Sequence, residues 1–488
     1  MRMASQTEQA NTGLSRGALS TFGIVVMVLA AASPLIGLTG AMPLAMITGN
    51  GNAAPAAYVL VGLILLVFGV GFVAMSRHVT NAGALYAYVG RGLGIPMGIG
   101  AAGVAWWAYT TIQVAVYAFF GVVASGTLAA YTGITLPWYV LSIALIVLVQ
   151  IFGYLHIEIG ARVLLILMAL EWGIMIILAL VILFTGGAGQ GFGTETVWAP
   201  AAIFGAGLPV AMIWAFASMF GFESSAIYAE EAKDPRKSVA RAVIISVVAI
   251  TAFFALTGWM AIVGYGPGDA VNQAVAALEG GDPAQYIFQL GDSYLGSWAP
   301  VMMSLFVITS MFACVLAFHN GIARYQYRLG RDGVLPKALA RTRANGAPAI
   351  SSVVQCITAL IFIVIGVLVG ADPVVILFTW GGGIAVVGII GLYILTGISG
   401  IVFFRRNPQL NSNIFTTLLV PILAVILLLV AEYLIVTQFS LLVGTEQSTA
   451  YLIAGTCLIA FIVGLVLFAV RKKSLSPDAL ADLETELT

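Results

Sequence analysis

The chain has 488 residues, of which 61% are hydrophobic and 8% charged. Soluble globular proteins run at roughly 45–50% apolar and about 25% charged. So few charges cannot cover a water-facing surface of this size, which argues against a soluble enzyme or a nucleic-acid binder and for a multi-pass membrane protein. Basic and acidic residues number 20 each, so net charge names no partner. The three cysteines lie in apolar stretches without CxxC spacing, and the three histidines form no metal-like cluster. No metal, cofactor or disulfide is therefore expected.

Apolar runs long enough to cross a bilayer, each of about 20 residues, recur along the chain. They fall at 20–47, 55–77, 95–128, 136–155, 159–186, 205–229, 240–265, 297–322, 350–370, 374–404, 414–438 and 448–470, which predicts an all-α protein with twelve transmembrane helices. Runs three and ten are long for one crossing and predict tilted helices. The sequence divides into an N-terminal segment, 1–18, a membrane unit, 19–471, and a polar tail, 472–488, expected to be disordered. Within the unit, two five-helix halves (about 19–186 and 205–404) precede two extra helices (about 414–471).

Charge placement sets the orientation. All 20 basic residues fall in alternate loops, among them Arg77, Arg91, the Lys233–Arg241 and Arg324–Arg343 stretches, Arg405 and Arg471. The opposite loops carry only acids, such as Glu195, Asp269, Asp282, Asp372 and Glu446. The positive-inside rule then places both termini in the cytoplasm of a cell membrane.

Two spans contain segments that disrupt a helix at mid-membrane. In span one, Ser33-Pro34-Leu35-Ile36-Gly37 brings in a proline, which removes a donor and clashes with the preceding turn. In span six, Ala217-Ser218-Met219-Phe220-Gly221 lies just ahead of Glu223. A single break is a common kink. Breaks at matching places in two halves point to a carrier site on inverted repeats. A half-helix N-terminus offers N–H groups to an anionic group, and free carbonyls suit an ammonium. An α-amino acid carries both. Ser33, Pro34, Ile36, Gly37, Ser218, Phe220 and Gly221 are therefore candidate substrate-binding residues, with Tyr109 and Gln113 of span three, four apart on one helix face.

Three acids lie within spans, and each is a functional candidate because burial is unfavourable. Glu171 lies nine residues beyond Arg162. That is about 13.5 Å into a core of about 30 Å. It can act as a protonatable acid, as a cation ligand with hydroxyls such as Thr309 or Ser310 of span eight, or as a neutral acid bonded within a kinked helix. Glu223 reads equally as a gate or proton site and as a carboxylate accepting donors freed by the break. Glu432 of span eleven reads as peripheral or dimer-facing. Trp106, Trp107, Trp214 and Trp380 can line a pocket, though tryptophans in membrane spans are more often packing or interface anchors. Basic residues fall only at the ends of spans and none lies inside the bilayer, which disfavours anionic substrates. Glu230 and Glu231 can latch onto the basic loops.

Three stretches carry a family resemblance. Phe220-Gly221-Phe222-Glu223 is followed by Ala229-Glu230-Glu231-Ala232-Lys233-Asp234-Pro235-Arg236; Asn320 through Arg324 leads to Gly330-Arg331-Asp332-Gly333-Val334-Leu335-Pro336-Lys337; and Asn81-Ala82-Gly83-Ala84-Leu85-Tyr86 opens the approach to span three. Together they resemble the amino acid–polyamine–organocation (APC) superfamily of permeases. The resemblance covers roughly residues 16 to 475. It implies a LeuT-like 5+5 inverted repeat with discontinuous helices 1 and 6, alternating access, and small amino acids or amines as substrates. The expected function is secondary active transport of an amino acid by a symporter, with Glu171 and Glu223 in proton coupling. The proton is the expected coupling ion and sodium the alternative. An amino acid/amine exchanger or a polyamine importer is the alternative function. A membrane enzyme would need clustered ligands or a nucleophile with a base, and neither is evident.

Overall fold

The computed structural model describes residues 20–79, 84–155, 161–223, 225, 235–343, 348–410 and 413–472. All regular secondary structure among them is helical. This follows from the solvent: in hydrocarbon each backbone N–H and C=O must be paired within the protein, and a helix pairs them within one segment.

The principal helices, in chain order, are α1 (Thr21–Ala32), α2 (Ala54–Ser76), α3 (Ile95–Thr132), α4 (Trp138–Leu155), α5 (Ala161–Thr185) and α6 (Leu208–Ser218). They continue with α7 (Pro235–Tyr265), α8 (Trp298–Arg331), α9 (Ala349–Leu368), α10 (Thr379–Arg406), α11 (Val420–Thr437) and α12 (Gln447–Arg471). Ten helical stretches among the described residues are long and apolar enough to cross a membrane. One of them, Thr21–Ser76, runs 56 residues and holds both α1 and α2. It contains non-helical Gly49 and then Gly51 at φ +55°. α6 is too short to count alone, because its helix stops at Ser218.

The structure adds helices that the hydropathy runs do not mark. Ala84–Leu93 precedes α3, and Ala270–Glu279 and Gln285–Leu295 lie between α7 and α8. They are amphipathic: Ala270, Ala274 and Ala277 form the buried stripe of the second. α8 also runs to Arg331, beyond the apolar run ending at 322, because Ala323, Gln326 and Leu329 continue its buried face.

Helix packing follows a regular pattern. α2 packs on α7, α3 on α8 and α4 on α9. α1 packs on α7 and α5, and correspondingly α6 packs on α2 and α10. α3 packs on α4 and α10, and α8 on α9 and α5. Adding or subtracting five exchanges the members of each pair. α11 and α12 lie outside, against α2 and α10, and against α3.

Candidate functional site

The first break is a single left-handed residue between two helical segments. α1 closes with the Ser33 N–H on the Leu29 carbonyl at 3.1 Å, and Ser33 itself is left-handed at φ +43°. It is the one non-glycine residue with positive φ among the described residues. That conformation costs on the order of 1–3 kcal/mol and persists only where the surroundings enforce it. Pro34 then starts a new helical turn, where its missing N–H would have been unpaired anyway. Gly37–Ala41 continues as a wider π-helical turn. The Ser33 hydroxyl donates to the Ser310 carbonyl of α8 at 3.2 Å.

The second break follows α6. Met219 leaves helical geometry, and Gly221 adopts φ +107°, which an L side chain rarely tolerates. The chain turns back so that Glu223 accepts the Gly221 N–H at 3.0 Å. Two further donors reach the same carboxylate. The Tyr109 hydroxyl of α3 donates to Oε1 at 2.6 Å, and the Tyr393 hydroxyl of α10 donates to Oε2 at 3.0 Å. Glu223 is 1% exposed. Three donors on one buried carboxylate are a strong, charge-assisted arrangement when the group is ionised.

Between the breaks lies a cavity of about 40 Å³. Ile36, Gly37, Ala217, Ser218 and Phe220 contribute from the breaks, Ile112 and Val116 from α3, and Cys314 and Phe318 from α8. Ala32, Ala41, Trp214, Phe378 and Gly382 complete it, so no charged side chain lines it. Ser218 is within 3.2 Å of the Tyr58 hydroxyl and donates to the Trp214 carbonyl at 2.8 Å. The two breaks touch closely: a Cβ on Gly37 would sit 2.8 Å from Ser218 Oγ and 2.5 Å from Phe254 Cζ.

Glu171 lies on the other side of Ser33. Its Oε2 accepts the Ser310 hydroxyl at 3.0 Å, and Ser310 in turn accepts Ser33. The group is two hydrogen bonds from the first break and 5% exposed. Ser33, Glu171, Thr309 and Ser310 border a pocket of about 10 Å³ there, room for about one water molecule.

The family model described as "Amino acid permease" matches residues 18–468. The chain belongs to the amino acid permease family. A branched-chain amino acid permease of Lactococcus lactis subsp. cremoris is 32% identical over 143 residues, which span 28% of each chain. An uncharacterized transporter of Mycobacterium bovis is 24% identical over 416 residues, 77% of this chain and 79% of its own. This permease is thus a multi-pass membrane transport protein for a small molecule.

The structure brings most of the sequence candidates together, but in two layers. Ile36, Gly37, Ser218 and Phe220 line the cavity. Tyr109 and Gly221 stand behind it as partners of Glu223. Pro34 is buried within the first break, and Ser33 faces α8 and Glu171. Gln113 points away: it donates to Tyr117 and Val315 and accepts from Gln355 of α9 at 2.8 Å. One helix face in sequence therefore serves two neighbours. Trp214 reaches the cavity, whereas Trp380 bonds to the Val443 carbonyl, and Trp107 to Thr456. Glu432 lies in α11, and its Oε2 is buried without a hydrogen-bond partner among the described residues. Sequence reading missed Ile112, Val116, Cys314, Phe318, Phe378 and Tyr393. Ile112 and Val116 were open to discovery, since they follow Tyr109 at three and seven residues on one helix face. Ser224, Glu230, Glu231, the Asn81–Gly83 stretch, the 1–18 segment and the tail from 473 lie outside the described residues.

Proposed function

We propose that this permease carries a neutral, aliphatic amino acid across the cell membrane by proton-coupled symport with alternating access. The observation that carries the reading is an uncharged, apolar cavity enclosed by two helix breaks. Backbone groups at such breaks suit the charged ends of an amino acid, and the apolar walls suit its side chain. The branched-chain substrate named for the Lactococcus relative agrees with those walls. At about 40 Å³ the cavity is far below the roughly 300–1,000 Å³ of pockets that take small ligands, so substrate entry requires the breaks to move apart.

We read the chain as crossing the membrane twelve times. The Thr21–Ser76 stretch, 56 residues long, supplies two crossings separated at Gly49–Gly51, and α6 with its broken continuation supplies one. The exchange of packing partners under a shift of five helices supports a 5+5 inverted repeat of the LeuT type. The distribution of basic loops supports a cytoplasmic position for both termini. Glu171, joined to the first break through Ser310, is assigned the coupling proton. Glu223 is assigned to holding the second break.

The test is uptake into sodium-free proteoliposomes with and without an inward proton gradient, using labelled leucine, isoleucine, valine, alanine and a polyamine. The expected result is gradient-driven accumulation of an aliphatic amino acid, reduced to simple equilibration by Glu171→Gln. Uptake that ignores the gradient and requires preloaded substrate would identify an exchanger instead and remove the coupling role of Glu171.

A further inference from the structure

A much larger cavity, about 550 Å³, lies away from the helix breaks and shares no lining residue with the cavity between them. Its walls include Trp106 of α3 and Ile459, Val463 and Leu467 of α12, and its floor is Leu335 and Leu339 from the loop after α8. The volume is in the range of ligand-binding pockets, roughly 300–1,000 Å³. The polar side chains at its border are turned to protein partners. Thr456 accepts Trp107 Nε1 at 3.0 Å and donates to the Ile453 carbonyl at 2.7 Å, while the Gln326 amide donates to the Ser351 carbonyl at 3.0 Å and accepts Trp106 Nε1 at 2.9 Å. What fills the cavity is therefore apolar.

Its position says more. The α3 residues lie in the first turns after Arg91, the floor follows Arg331, and the α12 wall ends just before Arg471. The cavity is thus at the basic end of the helix bundle. Ile459 and Val463 are 59% and 49% exposed, so that wall meets the bilayer directly. In the chain, exposed Lys337 lies between the floor residues Leu335 and Leu339, and exposed Arg471 is one turn beyond Leu467 on the same face of α12. The nearby acid, Asp332, is drawn to Arg328 and Arg331 at 3.9 and 3.6 Å, and no acid lines the cavity. An apolar chamber open to hydrocarbon with cations at its headgroup end fits an acyl chain joined to an anion. Basic pockets between helices on this side of a membrane recognise anionic headgroups.

We propose that this cavity binds one acyl chain of an anionic phospholipid, whose phosphate is held by Lys337 and Arg471. The bound lipid bridges α3 and α12 to the loop after α8 and holds that loop against the membrane unit. A second copy of the chain or an amphipathic peptide would not need the cationic end.

The test is native mass spectrometry of the full-length protein in mild detergent, titrated with phosphatidylglycerol or phosphatidylcholine, alongside thermal unfolding. One phosphatidylglycerol should be retained, with a preference over phosphatidylcholine of roughly thirtyfold, as two basic contacts supply. Val463→Trp, which sets an indole into the chamber, should weaken retention of both lipids. Lys337→Gln combined with Arg471→Gln leaves the walls intact and should erase the preference; it serves as the test should the tryptophan variant not fold. Equal retention of the two lipids by the unaltered protein, undiminished retention in Val463→Trp, a preference that persists in the Lys337 and Arg471 double variant, or a co-purified peptide in place of lipid would overturn the proposal. None of these readouts depends on which substrate the permease carries.

Discussion

The Tyr109 hydroxyl donates a 2.6 Å hydrogen bond to Glu223, although 114 residues separate the two. With Tyr393 on the other oxygen and the Gly221 N–H closing the turn, the broken end of α6 is tied to α3 and to α10 at one carboxylate. A buried acceptor stripped of one donor loses about 1–3 kcal/mol. Tyr109→Phe and Tyr393→Phe should each lower the thermal midpoint in detergent. Combined with Glu223→Gln, either should show a coupling of about 0.5–3 kcal/mol, as groups in one network do. Strictly additive effects would mean that the clamp contributes no stability.

The breaks also approach each other through glycine. An alanine at 37 must displace Phe254, whose ring is packed 4.6 Å from Tyr58 and 5.6 Å from Phe253, or push Ser218 aside. An alanine at 221 meets a φ of +107°, worth on the order of 1–3 kcal/mol of strain. Gly37→Ala and Gly221→Ala should therefore abolish or severely reduce uptake. Gly455→Ala, where no atom lies within 4 Å of the added carbon, should leave it unchanged. Normal uptake in Gly37→Ala would mean that the two breaks do not need this contact.

Much of this arrangement is legible in the sequence because the bilayer imposes a coarse rule. Long apolar runs must be helices, and Pro34 and Gly221 mark where two of them are interrupted. The hydroxyl partner of Glu171 was also within reach, since Ser310 lies in an apolar helix that offers a buried acid few other donors. Tyr393 was not. It meets Glu223 across 170 residues, and a tyrosine in a span has no periodic signal that separates a donor from an interface anchor. Gln113 shows the converse. Its spacing from Tyr109 places both on one face, yet the neighbour opposite that face changes from the α6 break to Gln355 within a single turn. The Ala270–Glu279 and Gln285–Leu295 helices escaped because each buries one stripe only and carries no long apolar run.

Ser310 links Glu171 to the first break, so it should govern coupling more than binding. Ser310→Ala removes the hydroxyl on Glu171 Oε2 but leaves the carbonyl that accepts Ser33. The accumulation ratio under a proton gradient should fall, while counterflow of preloaded substrate persists. Ser310→Thr, which restores the hydroxyl, should recover accumulation. Loss of counterflow to the same extent as accumulation would assign Ser310 to the fold rather than to coupling.

Asp282 lies between the two short helices that follow α7, outside the membrane-spanning segments, and is 7% exposed. Its Oδ1 accepts the Ala284 N–H at 3.0 Å and its Oδ2 the Gln285 side chain at 3.1 Å. Burial pushes the carboxyl above its ordinary 3.8, and the two hydrogen bonds offset that only in part. The folded protein thus holds this proton more tightly than the unfolded chain does. The associated stability is fully present below pH 3.8 and is lost as pH rises through the folded value, above which it stays flat. Asp282→Asn keeps an acceptor for the Ala284 N–H and can pair with Gln285, but it cannot ionise. Thermal unfolding of both proteins from acid to neutral pH should show the unaltered midpoint falling relative to the variant over that interval. Parallel curves would mean that burial does not shift the Asp282 carboxyl between the folded and unfolded states.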